Sequence, residues 1–166
     1  MFLVNTDFTG YHKISTNNFT QAELTSYITK YESVYLKELM GVALYNLFVA
    51  SISSGLPTGV YLTIYNAFSE DSESCSNKIL ISDGMKEMLK GFVFFEYTRN
   101  QPIENTTVGN VKNVNENSEV VNGWKAGITE KYNRAIDTYK AIQSYIEENL
   151  TDYPTYNGVE KEKIFF

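Results

Sequence analysis

Across residues 117–150 the apolar positions fall at Val121, Trp124, Ile128, Tyr132, Ala135, Tyr139, Ile142, Ile146 and Leu150. Steps of three and four residues keep them on one stripe of a helix. Lys125, Glu130, Arg134, Asp137, Lys140 and Glu147 take the opposite face. Glu130 precedes Arg134 by four residues, the favourable order for a helical ion pair. Asn117 or Ser118 is placed to cap the start, and Glu119 suits the positive end of the helix dipole. At a rise of about 1.5 Å per residue, the pattern predicts a rod of roughly 45–50 Å. The rest of the chain is expected to pack around it.

The preceding residues supply shorter elements. Residues 1–18 have no sustained period, with Phe2, Val4, Phe8, Tyr11 and Ile14 spread among polar neighbours, and read as an extended arm with at most a short strand. Thr20 and Glu23 are spaced as a capping box, flanked by Phe19 and Leu24 as a hydrophobic staple. Leu24, Tyr27, Ile28 and Tyr31 follow on one face. A second helical stretch is predicted over 33–52, with Leu36, Leu39, Met40, Ala43, Leu47 and Phe48 as its buried stripe. Gly41 in its middle marks a break or a close crossing. Residues 53–59 form a turn cluster, and 60–68 suggest one or two helical turns. Residues 69–77 read as a solvated acidic loop, since Glu70, Asp71 and Glu73 lack the spacing of a calcium loop. A helix opened by Ser82 and Asp83 runs to Asn100. Its Phe92-Val93-Phe94-Phe95 run is apolar all round, which predicts a central position.

Val108-Gly109-Asn110-Val111 carries the signal of a tight hairpin inside a long polar loop over 101–117. Loops of that length in a compact domain are usually functional. Beyond the long helix, Pro154 blocks helical continuation. Tyr153, Tyr156, Ile164, Phe165 and Phe166 then need a docking surface, on their own domain or on another subunit. These elements predict an all-α small helical bundle over 19–150, with one long C-terminal helix, the hairpin-bearing loop over 101–117, and arms over 1–18 and 151–166.

Composition narrows the function. The 166 residues suit one domain with arms. Net charge is −6 without a Lys/Arg cluster, which disfavours tight binding to nucleic-acid phosphates yet permits a wall past which DNA slides. The start of the chain lacks the basic and apolar runs of a signal peptide, and no stretch approaches the ~20 apolar residues of a membrane span. Cys75 and His12 are the only cysteine and histidine. No nucleophile elbow, phosphate loop, zinc-protease motif or dinucleotide fingerprint is present. No enzyme activity, catalytic residue, cofactor or metal is therefore expected. Thirteen tyrosines and ten phenylalanines suit an aromatic core or wet interfaces.

One pattern is more specific. Tyr27-Ile28-x-x-Tyr31-Glu32-x-x-Tyr35-Leu36-x-x-Leu39-Met40-Gly41-x-x-Leu44-Tyr45-x-Leu47-Phe48 resembles the N-terminal helices of head–tail connector (adaptor) proteins of tailed phages, including the ring proteins of crAss-like phages of Bacteroidetes. Phe95-Glu96-Tyr97, Glu116-Asn117-Ser118 and the stretch from Tyr132-Asn133 to Tyr145-Ile146 follow in the same order, so the resemblance covers roughly residues 15–150. It implies a structural virion subunit made in the host cytoplasm. The subunit joins a homo-oligomeric ring, usually twelvefold, in the virion neck between the portal protein and the next neck or tail ring protein. DNA passes through the lumen only as cargo, and no membrane is involved. Another neck part (a stopper or tail-completion protein) and an unrelated helical protein-binding module remain open. On the connector reading, Val108, Gly109, Asn110 and Val111 are expected to reach a neighbouring subunit. Tyr153, Tyr156, Ile164, Phe165 and Phe166 are expected to dock on a partner ring.

Overall fold

The computed structural model describes residues 2–14, 18–72, 79–100, 104–106, 109–111 and 124–165. It is mostly helical, with α1 (Asn18–Met40), α2 (Val42–Ala50), α3 (Tyr61–Tyr65), α4 (Met85–Asn100) and α5 (Trp124–Glu148). The fold is not purely α. Three two-stranded antiparallel sheets pair β1 (Ile52–Ser53) with β2 (Leu56–Pro57), β3 (Phe68–Asp71) with β4 (Ile79–Ser82), and β5 (Glu104–Thr106) with β6 (Gly109–Val111). Short hairpins of this kind leave little periodic signal beside strong helical stripes.

The long C-terminal helix is present as α5. Its 25 described residues span about 37 Å. Residues 117–123, where the start was expected, lie outside the described residues. The helix stops at Glu148, where the Asn149 side chain donates to the Tyr145 carbonyl (2.8 Å) and its amide to Ile146 (3.1 Å). Ile128, Tyr132, Ala135, Ile136, Tyr139, Ile142 and Ile146 form its buried stripe. The central position of α4 also holds, since it packs along α5 and against α1. Phe92 is fully buried and stacks on Tyr35 (4.1 Å between centroids, 6° between planes). Beside it the buried Glu96 accepts from the Tyr35 hydroxyl (2.9 Å) and pairs with Arg99 (2.7 Å). Burial first, then the Glu96 charge, pushes the Tyr35 hydroxyl up, so it stays a donor.

Four expectations are corrected. The first helix runs unbroken through Tyr31 and Ser33, and the chain breaks at Gly41, whose φ of +79° favours glycine. The arm over 1–18 is not extended over its described part. Residues 2–14 make two 3-10 turns, Asn5–Asp7 and Gly10–His12, and sink Leu3, Phe8 and Ile14 into the core. Irregular turns bury apolar residues one at a time, so no period shows. The buried Glu32 takes up the amides this leaves open, accepting from Phe2 (3.0 and 2.9 Å) and Leu3 (3.0 Å). The acidic loop is part strand, since Ser69, Glu70 and Asp71 pair with Ile81, Leu80 and Ile79. Of that loop, 73–77 lie outside the described residues.

The fourth correction concerns α2, where Ala43 and Leu47, expected in the buried stripe, are exposed. Of the two docking surfaces open to the tail, the structure shows it on its own domain. Because Gly41 ends α1, the last carbonyls of that helix have no intrahelical partner. The Val159 amide donates to Glu38 (2.7 Å) and the Asn157 amide to Met40 (3.2 Å), while the Gln143 side chain reaches Leu39 (3.3 Å). The approach is backbone to backbone: a Cβ on Gly41 would meet the Asn157 carbonyl at 2.6 Å, and one on Gly158 would overlap the Leu39 carbonyl.

Candidate interaction surface

The hairpin residues come first. Gly109, Asn110 and Val111 form β6, with Thr106 opposite Gly109, Asn105 opposite Asn110 and Glu104 opposite Val111. The Gly109-Asn110 pair thus lies within a strand and not at the turn. The positions between paired Thr106 and Gly109 are 107 and 108, so Val108 lies outside the described residues. Glycine and asparagine accept extended backbone as well as turn backbone, and a polar, glycine-bearing strand specifies its register weakly.

In the tail, Tyr153 is 1% exposed and donates its hydroxyl to the Val60 carbonyl (2.8 Å). Tyr156 is half-buried against the core. Ile164 is clamped by Asn133, which donates to its carbonyl and accepts from its amide, both at 2.8 Å. Ion pairs of Lys161 with Glu38 (2.9 Å), Lys140 with Glu162 (2.9 Å) and Lys163 with Asp137 (2.7 Å) fix the segment between. Among the described anchors Phe165 is the one that points outward, 82% exposed. Phe166 lies outside the described residues. Of the five proposed docking anchors, three are therefore committed to this chain's own fold.

The surface that sequence reasoning missed is α2. Leu44 and Phe48 are its buried residues. At 100° per residue, Val42, Ala43, Asn46, Leu47, Val49 and Ala50 share the outer arc, and all six are exposed. Val42 is 61% and Leu47 45% exposed. Five apolar residues and one polar residue on an outer face invert the usual amphipathic arrangement. Residues 39–69 contain no Asp, Glu, Lys, Arg or His, in a chain that is 20% charged. That gap was readable from the sequence. The β1–β2 hairpin and α3 add exposed Leu56, Val60 and Leu62. Contiguous apolar surface of this kind marks an interaction site.

One margin of α2 is basic, at Lys37. Lys30, Val34 and Lys37 lie at i, i+4 and i+7 on α1, on one exposed face. Lys30 sits over the Tyr31 ring (4.8 Å) and Lys37 over the Tyr45 ring of α2 (5.3 Å). Neither pairs with a carboxylate among the described residues. The β3–β4 hairpin offers a second surface of opposite character. Leu80 and Ser82 point inward, while Ile79 (56% exposed) and Ile81 (62%) point out, opposite Asp71 and Ser69. Glu70 and Asp71 are exposed and form no ion pair among the described residues. Beside the two isoleucines an open groove of about 320 Å³ runs along Ala141 and Ser144 of α5.

The remaining polar site is a cavity of about 80 Å³ lined by Tyr11, His12, Asp83, Glu87, Lys131 and Arg134, among others. It falls well short of the ~300–1,000 Å³ of ordinary ligand pockets. Burial pushes the His12 imidazole down to about 4, against the pull of Glu87 at 3.8 Å, so near neutral pH it is uncharged. Arg134 is taken by Asp83 (2.8 Å), and Lys131 lies over the Tyr11 and Phe94 rings (4.6 and 4.9 Å). Among the described residues no group of three His, Cys, Asp or Glu side chains is placed to hold a metal ion, and no helix is long and apolar enough to cross a membrane. The geometry offers surfaces for protein contact. No family model matches the chain, and neither a curated protein nor a solved structure is significantly similar to it.

Proposed function

We propose that the protein is a structural assembly subunit, a head–tail connector of a tailed phage. In this reading it forms a homo-oligomeric ring, about twelvefold, in the virion neck, between the portal and the next neck or tail ring. DNA crosses its lumen as cargo, and the protein carries out no catalysis. The observation that carries the reading is the outer arc of α2, apolar and uncharged on a chain of net charge −6. An acidic surface repels its own copies, and an uncharged apolar face is where such copies meet at least cost. The resemblance of the Tyr27-to-Phe48 pattern to connector helices narrows the class from assembly module to neck ring. Native mass spectrometry with negative-stain imaging of the purified chain tests it. Closed rings of many copies are expected. A monomer or a dimer at tens of micromolar overturns the reading, a dimer pointing instead to a helical binding module.

A further inference from the structure

The chain carries two unlike exposed surfaces whose chemistries match. One is the outer face of α2, with Val42 and Leu47 exposed and Lys37, which has no carboxylate partner among the described residues, at its margin. The other is the β3–β4 hairpin, with Ile79 and Ile81 exposed and Asp71, opposite Ile79 on the same face, without an ion-pair partner among the described residues. The first lacks anions and the second brings them. The second also has an open recess beside its isoleucines, which gives protruding aliphatic side chains room to enter.

We infer that α2 of one copy receives the β3–β4 hairpin of a second copy. Lys37 faces Asp71, and Ile79 and Ile81 cover Val42 and Leu47. Charge decides the occupant. Pairing α2 with α2 across a twofold axis brings two copies of Lys37 into the contact with no anion, and pairing hairpin with hairpin leaves Lys37 of both copies outside it. Neither two-fold solution matches Lys37 with Asp71. Only the head-to-tail pairing matches sign and covers both apolar faces on every copy. A contact between unlike surfaces closes as a ring or runs on as a filament. The inference rests on the ring reading above and supplies its subunit contact.

Charge exchange tests it on the full chain, with oligomer size read by native mass spectrometry and light scattering at low salt. Lys37→Glu and Asp71→Lys are each expected to raise the concentration needed for assembly by about tenfold or more. The double variant restores a matched pair at every contact and should recover most of that loss. Leu47→Ser, at an exposed site, should abolish assembly with an unchanged circular-dichroism spectrum. A monomeric wild-type chain overturns the ring reading and this contact together. Wild-type rings that survive Leu47→Ser, or a double variant no better than either single one, overturn this contact and leave the ring reading standing.

Discussion

The tail yields the sharpest prediction, through Tyr153. Its ring is 1% exposed, with Tyr61 at 6.1 Å and Tyr145 at 6.4 Å in edge-on contacts. Its hydroxyl donates to Val60, at the entry to α3. Truncating a fully buried aromatic to alanine removes its transfer energy and leaves a void, a cost of about 3–5 kcal/mol. Tyr153→Phe isolates the hydrogen bond, for which a net loss of about 0.5–1.5 kcal/mol is usual. Val60 is partly exposed, so water can replace the lost donor and the lower half of that range is expected. Burial pushes the hydroxyl well above the ordinary tyrosine value, so the bond does not titrate in the assay range. Urea denaturation followed by far-UV circular dichroism reads both variants, with an unchanged slope confirming that only stability moved. A domain of this size is stable by about 5–15 kcal/mol, so Tyr153→Ala alone removes a substantial part. Cutting the chain after Leu150 also strips the end of α1 of its Val159 and Asn157 donors, and should unfold it. A cost below about 1 kcal/mol for Tyr153→Ala, or an unshifted melting temperature after truncation, would refute the tail as part of the fold.

Three further outcomes are expected. His12 is held at about 4 by burial, below its usual value of about 6.5; the unfolded chain therefore binds the proton first, and stability should fall as pH drops from about 6.5 to 4, by up to about 3 kcal/mol, in a pH series of urea midpoints that flattens in His12→Gln. Glu32→Ala removes the acceptor of the Phe2 and Leu3 amides and should cost about 2–3 kcal/mol while exposing the N-terminal segment to limited proteolysis; resistance equal to wild type would show the segment holds without it. Duplex DNA should show no measurable binding at physiological salt, given a net charge of −6, and a salt-dependent micromolar association by fluorescence anisotropy would contradict a channel wall that DNA slides past.

What the sequence made readable was what helical period encodes. The stripe from Ile128 to Ile146, the all-round apolar Phe92 region and the break at Gly41 each follow from a residue's angle on a helix. Segments whose burial is not periodic stayed hidden. Leu3, Phe8 and Ile14 enter the core through irregular turns, and Glu32 looks like any surface acid until its oxygens are seen accepting from the distant amides of Phe2 and Leu3. The tail's surface stayed undecided because its binding partners are backbone carbonyls, which have no sequence signature, freed only because α1 stops at Gly41. The β3 strand was obscured because Ser69, Glu70 and Asp71 are exposed on both faces, so alternation vanishes and only β4 shows it. The outer face of α2 was the opposite case. Its signal, a long run without charge, was visible, but the buried stripe was carried from α1 across Gly41 to Ala43 and Leu47, and the break at Gly41 turns Leu44 inward and leaves those two exposed.

Magnitudes also bear on how such a subunit would assemble. Full burial of a Val, Leu or Ile side chain is worth about 1.5–3 kcal/mol. Val42, Leu47, Ile79 and Ile81 are each roughly half exposed, so covering all four at one contact contributes about 3–6 kcal/mol. Loss of translational and rotational freedom on association costs an estimated 4–15 kcal/mol. Exposed ion pairs such as Lys37 with Asp71 add about 0–1 kcal/mol each. A single proposed contact therefore comes close to balance and does not hold two copies firmly. Closure changes the arithmetic, because the last subunit makes two contacts while losing its freedom once, and the second contact forms at high effective concentration. The same weak face that leaves a pair of copies unstable thus favours a closed ring over any open intermediate. Mass distributions of the purified chain should accordingly show monomer and full ring with little between. A ladder of dimers, trimers and tetramers would mean that each contact is strong on its own, and that the half-exposed aliphatic residues counted here are not what holds the copies together.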